Sequence, residues 1–234
     1  GLILSNLGIT SPATKATGTY TFKDILDLGG TFSLTLKRHF QSAGFFPSDL
    51  WDSRVGLVDS FADWDGGIAD RVNAKLAVRT TTSAPSGSSY ANSDFNNIDF
   101  NEVANGAFKA RGFQFRTNLE TTDPAQNIIV QELGYTASMP SRTEQSSVIA
   151  SGNGAKAVTF SHPFFVGTSS ITGIPKPSVS ITPQHSSDKQ MATGDYFELT
   201  NISGTGFTVH FKNSSGGSID RDFTYSAVGF GKGG

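Results

Sequence analysis

Residues 196–211 constrain the fold more than any other part of the sequence. Apolar residues alternate with polar ones, first at Phe197 and Leu199 and then at every second position of residues 207–211. Only a pleated strand places every second side chain on one face, so this alternation predicts two strands. Residues 203–206, Ser-Gly-Thr-Gly, are turn formers, and the whole stretch is therefore predicted to be a β-hairpin.

The composition extends this prediction to the rest of the chain. The sequence contains 26 Gly and many Ser, Thr and Asn, which indicates numerous turns and short strands. It also contains 19 Phe but only 2 Met, and aromatic residues suit sheets better than helices. A chain of 234 residues is long enough for one large or two ordinary domains. We expect an all-β protein made of two antiparallel β-sandwich domains.

The first half is divided by its pattern of apolar and polar residues. Residues 1–19 become rich in Ser, Thr, Ala and Pro without a sustained period and are interpreted as an N-terminal arm or linker. Residues 20–145 form the first predicted sandwich domain, with a long acidic aromatic loop. Gly29-Gly30 is interpreted as a turn between strands, and a change of alternating frame at Gly112 predicts a β-bulge.

The second predicted sandwich domain covers residues 146–234, because the polar stretch 141–154 has the composition of a boundary. Residues 185–194 are polar and are predicted to be an exposed loop. The strands of this domain are predicted near residues 157–160, 178–182, 196–201, 206–212 and 223–230.

Several segments resemble the C-terminal half of an H-type lectin domain. They are Thr200-Asn201-Ile202, Gly206-Phe207-Thr208-Val209 and the closing strand Tyr225-Ser226-Ala227-Val228-Gly229, preceded by the proline-entered strand at residues 173–179. That family is a small antiparallel β-sandwich that assembles as trimers and binds sugars. With residues 111–139 and the Gly-Lys-Gly-Gly terminus, the chain resembles the distal end of a bacteriophage tail-tip or tail-fibre protein. The resemblance implies a homotrimer in the virion tail, bound to other tail proteins and exposed at the host cell surface.

Charge and hydropathy exclude two classes of partner. The net charge is −2 and the basic residues are scattered singly, so no footprint for a phosphate backbone exists and nucleic acid is not an expected partner. No apolar run approaches the roughly 18 residues needed to cross a bilayer, and membrane insertion is not expected. Cysteine is absent, which excludes disulfides, thiolate nucleophiles and cysteine zinc sites.

The sequence offers little for catalysis. The four histidines, at positions 39, 162, 185 and 210, do not lie in a nucleophile elbow, and we expect surface or turn positions for them. A glycoside hydrolase needs two carboxylates across a cleft, and nothing in the sequence selects such a pair. We therefore expect a protein that is not an enzyme.

The acidic segment of residues 45–70 holds both tryptophans and the only candidate metal ligands. Trp51 and Trp64 either stack on sugar rings or anchor their loop to the sandwich. Asp63 and Asp65, followed by Gly66-Gly67, resemble part of a calcium loop, although no complete EF-hand is present and Asp is also a common turn residue. No cofactor is expected, except Ca²⁺ if it binds at these two aspartates.

The expected function is host-cell attachment by a phage tail-fibre or tail-tip protein, which binds surface carbohydrate through the exposed loops of a trimer. Three weak sites around one axis gain effective concentration, so a shallow sugar site can hold a cell. A structural hub or baseplate component without receptor contact is the alternative, and a polysaccharide-degrading enzyme is a less favoured one. The residues predicted to bind carbohydrate are Trp51, Trp64, His185, Asp188 and Lys189.

Overall fold

The computed structural model describes residues 2–3, 16–46, 69–95, 99–186 and 188–231. The prediction of an all-β protein with antiparallel sheets is confirmed, and a short 3₁₀ helix at Asn92–Asp94 is the only helix in these ranges. No helix in the described part of the chain has the length and apolarity to span a membrane. The chain divides into two compact units, which are Gly1–Asp27 with Thr35–Ala137 (unit 1) and Leu28–Leu34 with Ser138–Gly234 (unit 2).

The strands of the first sheet are β1 (Leu2–Ile3), β2 (Thr17–Thr21), β3 (Leu26–Phe45), β4 (Val72–Thr81), β5 (Asn101–Glu102), β6 (Gly106–Thr121) and β7 (Asn127–Ser138). Unit 1 is built on this seven-stranded sheet, in the order β1-β7-β3-β6-β4-β5, with β2 also paired to β6. Strand β1 lies in the segment interpreted as an arm, and its Leu2 pairs with Val130 of β7. The predicted turn at Gly29-Gly30 is wrong, because β3 continues through both glycines, with Gly29 at a φ of 71°.

Strand β6 shows the predicted change of frame at Gly112. Ala110 and Gly112 are buried in one alternating frame, whereas Phe113 and Phe115 are buried in the other. The pairing of β4 with β6 nevertheless runs without interruption over Gly112–Thr121, so this edge of β6 contains no extra residue. Glycine is needed at position 112 because the Tyr90 ring lies against it, and a Cβ there would lie 2.9 Å from Cζ of that ring.

Unit 2 is a β-sandwich of two antiparallel sheets. Its strands are β8 (Ser141–Gln145), β9 (Ile149–Ala150), β10 (Ala155–Thr159), β11 (Ser178–Gln184), β12 (Tyr196–Thr200), β13 (Gly206–Lys212) and β14 (Asp222–Phe230). One sheet has the order β10-β13-β12, and the other has the order β11-β14-β8 with β9 also paired to β14. The polar stretch 141–154, which was predicted to contain the domain boundary, forms two strands that pair with β14.

Aromatic residues from both sheets form the core of the sandwich. The rings of Phe211 in β13 and Phe223 in β14 have centroids 5.6 Å apart, and those of Phe207 and Tyr225 are 5.2 Å apart. Phe211 and Phe223 are fully buried. Since burying one such side chain contributes about 1.5–3 kcal/mol, these cross-sheet pairs are a large part of what holds the two sheets together.

The predicted hairpin is confirmed. Phe197 lies opposite Phe211 and Leu199 lies opposite Val209, so the two apolar rows share the inner face of the sheet. Because the apolar rows face the core, the side chains between them point away from it. The connection between the two strands begins at Asn201, which has a φ of 52°, a conformation that Asn tolerates better than most residues.

The strand registers bring three connections to the same end of unit 2. Gln184 lies opposite Asp222, Tyr196 lies opposite Lys212, and Ala155 lies opposite His210. The chain between these strands must therefore turn at one end of the sandwich. We call this region the loop end, and its described residues are 151–154, 185–186, 188–195 and 213–221.

Candidate functional site

The predicted site residues fall into two groups. Trp51, Trp64, Asp63 and Asp65 lie outside the described residues, so sugar stacking by the tryptophans and calcium binding by the aspartates stay predictions. His185, Asp188 and Lys189 all belong to the loop end.

Lys189 is held by one carboxylate of the loop end and one at the start of β14. Its Nζ lies 3.0 Å from Oδ2 of Asp220 and 3.1 Å from Oδ1 of Asp222. The hydrogen bonds to Asp220 and Asp222 raise the pKa of Lys189, and the same contact with Lys189 lowers the pKa of Asp220. The backbone N–H of Gly152 also donates to Asp220, at 2.8 Å. Gly152, Lys189 and Asp220 each belong to a different connection, so these contacts link all three connections of the loop end. Lys189 therefore orders the loop end in addition to any contact with a ligand.

A second ion pair stiffens the same region. The Nη2 atom of Arg221 lies 2.8 Å from Oδ2 of Asp195, which also accepts a hydrogen bond from the N–H of Ala192 at 2.8 Å. The bond from Ala192, followed by the one from Arg221, lowers the pKa of Asp195. His185 and Asp188 are exposed beside this ordered framework. Because the loops are already ordered, a ligand binding there would cost little additional conformational entropy.

The outward side of the hairpin adds residues that were not predicted as site residues. Lys212 Nζ lies 2.8 Å from Glu198 Oε2, and His210 Nε2 forms a hydrogen bond of 2.8 Å with Ser218 Oγ. Tyr196 lies directly across from Lys212 in the strand pair and is 41% exposed. We call these five residues the hairpin face. Four of them lie in β12 or β13, and their signal in the sequence was the polar set of alternate positions in the hairpin. Ser218 lies in the loop end, and no such pattern marked it.

The hairpin face meets the loop end at Gly216. This glycine has a φ of 83°, and a Cβ placed on it would lie 3.9 Å from the hydroxyl oxygen of Tyr196. The hydrogen bond to Glu198 raises the pKa of Lys212. An exposed ring beside preordered donors and acceptors suits a sugar, whose C–H groups pack on the aromatic ring while its hydroxyls form hydrogen bonds.

Unit 1 contains a cavity of about 150 Å³, lined in part by Arg79, Asp99 and Glu102. The arginine is nearly buried, and its Nε and Nη2 donate to Gln114 Oε1 at 2.8 and 2.6 Å. Glu102 forms ion pairs with Arg38 and Lys75. The charged groups of this cavity are engaged with the protein and are of mixed sign, so the cavity is a poorer candidate than the hairpin face.

Two arginines of β6 have partners within unit 1. The Nε atom of Arg111 lies 3.1 Å from Oδ1 of Asp27. The guanidinium carbon of Arg116 lies 4.1 Å from the centroid of the Phe100 ring, so this side chain covers apolar surface.

One histidine has neighbours in the order of a hydrolase triad. His39 Nε2 lies 2.7 Å from Thr136 Oγ1, and His39 Nδ1 lies 3.9 Å from Glu132 Oε1. The second distance is too long for the hydrogen bond that orients the imidazole in such a triad. The three residues lie on paired strands at the surface, which is the position expected for this histidine. Among the described residues, no three His, Asp or Glu side chains are grouped as metal ligands.

Comparison with known proteins adds no assignment. No family model matches the chain, and no curated protein and no solved structure matches it.

Proposed function

We propose that the protein is a carbohydrate-binding attachment protein of a bacteriophage tail fibre or tail tip. In this proposal the chain binds a glycan of the host cell surface, assembles as a homotrimer with other tail proteins, and is not an enzyme. The resemblance of residues 200–202, 206–209 and 225–229 to an H-type lectin domain supports the class of ligand. The observation that carries the proposal is the exposed Tyr196 ring beside the Glu198–Lys212 ion pair.

The hairpin face provides the two kinds of contact that a neutral sugar ring needs. The carboxylate of Glu198 accepts hydrogen bonds from hydroxyls, the ammonium of Lys212 donates to them, and Tyr196 supplies an aromatic surface. The Glu198–Lys212 pair is already in place, with its atoms 2.8 Å apart, so little side-chain freedom remains to be lost on binding. The surface is open rather than enclosed, and the affinity of one site should be weak. His185 and Asp188 lie at the neighbouring loop end and would contact further sugar units.

The test is the change Tyr196→Ala, because this ring is exposed and contributes little to the core. Its loss removes the stacking contact, and we expect at least a tenfold weaker affinity for the glycan with an unchanged melting temperature. The matched control is Tyr20→Ala, since Tyr20 is 44% exposed but belongs to unit 1. Equal binding by the wild type and the Tyr196→Ala variant would contradict the assignment of the site.

A structural hub or baseplate component is the second candidate. The observation that favours it is the outer face of the β11-β14-β8 sheet, where Val228 is 46% exposed among uncharged residues. Such a surface suits a protein partner better than a sugar. A polysaccharide-degrading enzyme is the least favoured candidate, and release of reducing sugars from host capsule would revive it. A folded protein that assembles with a tail protein but binds no cell or glycan would favour the hub.

A further inference from the structure

Three cationic side chains from two strands lie together on one face of the sheet of unit 1. Arg116 in β6 lies opposite Ala77 in β4, and Lys75 and Arg79 occupy the alternate positions on either side of Ala77. Residues opposite each other in antiparallel strands point to the same face, and diagonal neighbours are about 7–8 Å apart. Lys75 and Arg79 are therefore both diagonal neighbours of Arg116. We call these three residues the basic cluster, a grouping that the strand register creates.

Arg116 is the member of the basic cluster that the protein leaves without an acceptor. It is half-buried, its guanidinium carbon lies 4.1 Å from the centroid of the Phe100 ring, and its Nε atom is buried without a hydrogen-bond partner. Among the described residues, none forms an ion pair with Arg116 or accepts a hydrogen bond from it. A guanidinium carries five N–H donors, so this one keeps hydrogen-bonding capacity for a ligand. The buried Nε leaves the two Nη atoms for that contact.

Both arginines of the basic cluster lie against the same aromatic ring. The guanidinium carbons of Arg79 and Arg116 lie 4.7 and 4.1 Å from the centroid of Phe100. Two cations held this close repel each other, and burial, followed by the charge of Arg116, lowers the pKa of Arg79. The Nε and Nη2 atoms of Arg79 donate to neutral oxygens of Gln114 and Asn92. A bound anion would therefore relieve a repulsion that is built into this face.

The carboxylates around the basic cluster do not pair with its arginine in β6. Glu102 in the neighbouring β5 forms ion pairs of 3.4 Å with Arg38 and 3.3 Å with Lys75. Asp99 lines the cavity described above. Glu120 lies four residues further along β6, at roughly 13 Å. The face therefore keeps an excess of positive charge around this arginine.

Uncharged donors surround the same arginine. Thr21 in β2 lies opposite Arg116, and Asn118 lies between Thr19 and Lys75 in the next row. Thr19 and Thr21 are exposed, and Asn118 is half-buried. Hydroxyl and amide groups donate hydrogen bonds to anionic oxygens, so an anion on this face meets both positive charge and neutral donors.

We propose that the basic cluster binds an oxyanion, that is, a carboxylate or phosphate group carried by a ligand. A guanidinium presents its N–H groups in a planar fork that matches two oxygens of such a group. Contact with the Phe100 ring restricts the Arg116 side chain before the ligand arrives, which lowers the entropy cost of binding. Lys75 and Thr21 supply further charge and a hydroxyl from the two neighbouring strands. This site goes beyond the proposed function, because the hairpin face belongs to unit 2.

The test is NMR spectroscopy of the full chain during titration with inorganic phosphate and, separately, with glucuronate, at constant ionic strength. The backbone N–H signals of Thr21 and Asn118 should shift saturably in at least one of the two titrations. Arg116→Gln should weaken the affinity at least tenfold, because it removes the charge-assisted pair of hydrogen bonds. Saturation by phosphate alone would assign a phosphoryl ligand, and saturation by glucuronate alone would assign a carboxylate.

Two further variants separate a specific site from general attraction of anions. Lys109→Gln, in the same strand and roughly 23 Å away, also removes one positive charge and should leave the affinity unchanged. Lys75→Gln, at an exposed position, should weaken the affinity about threefold and replaces Arg116→Gln if that variant does not fold. The absence of a saturable shift with both anions, or equal affinities for the wild type and Arg116→Gln, would overturn the proposal. An equal loss in Lys109→Gln would also overturn it, because the binding would then be non-specific.

Discussion

The most strongly perturbed carboxylate in the described residues is Glu144, in the strand next to β14. It is only 9% exposed, and it accepts hydrogen bonds from Arg142, from the N–H of Ser161 and from the hydroxyl of Tyr225 at 2.7–2.9 Å. Burial alone would raise the pKa of Glu144, but these hydrogen bonds outweigh it and lower the pKa to about 2. Burial and the neighbouring carboxylate raise the pKa of Tyr225 to about 12. This network supports the structure of unit 2.

The depressed pKa of Glu144 makes the stability of unit 2 sensitive to acid. Its contribution is fully present above the pKa of an unfolded glutamate and is lost as pH falls from about 4.5 towards 2. The shift corresponds to about 3 kcal/mol of the free energy of unfolding. Urea unfolding at a series of pH values should show this loss for the wild type.

The variant Glu144→Gln removes the titrating group. We expect it to be destabilised by about 2–3 kcal/mol at pH 7, and its stability should fall much less between pH 4.5 and pH 2. Glu198→Gln is the control, since that side chain is 46% exposed and should change stability by less than about 0.5 kcal/mol. A Glu144→Gln variant with the acid sensitivity of the wild type would show that another group titrates.

Single residues were the least predictable level of this chain. The polar loop of residues 185–194 indicated His185, Asp188 and Lys189 as sugar ligands, but Lys189 also pairs with aspartates more than 30 residues away. Such a pairing depends on strand registers that no local pattern reveals. Tyr196 and Lys212 were visible as polar positions of the hairpin, and only the structure places them beside Glu198.

At the level of strands, local alternation was a reliable guide. The hairpin and three further strands of unit 2 were predicted close to their observed positions, because their apolar rows face one core. Strand β8, in the segment 141–154, was not predicted because it faces inward with Arg142 and Glu144, which no apolar pattern marks. The turn predicted at Gly29-Gly30 was wrong because glycine also permits a strand to bend without ending.

Gly112 gives a test of packing within a strand. A Cβ at this position would lie 2.9 Å from the Tyr90 ring and 3.0 Å from Thr81, whereas one at Gly106 in the same strand would have no neighbour within 4 Å. Gly112→Ala should therefore destabilise unit 1 by about 1–3 kcal/mol. Gly106→Ala should be neutral or slightly stabilising. Equal melting temperatures for the two variants would contradict this account of the Tyr90 contact.

At the scale of the whole molecule, the proposed function requires a weak site that is repeated in a trimer. The all-β fold followed from composition and alternation. The partners and the location in a virion were inferred from resemblance, and they stay proposals because fold alone does not fix function.

The central claim is that this chain binds a host glycan through the hairpin face. The most direct measurement is binding of the labelled protein to a panel of bacterial cells and isolated surface polysaccharides, with Tyr196→Ala beside the wild type. Repeating it with a calcium chelator tests the metal prediction at Asp63 and Asp65. The account predicts saturable binding of the wild type to at least one strain or glycan, and a loss of at least tenfold in the variant. A folded wild-type protein that binds no cell and no polysaccharide would contradict this claim.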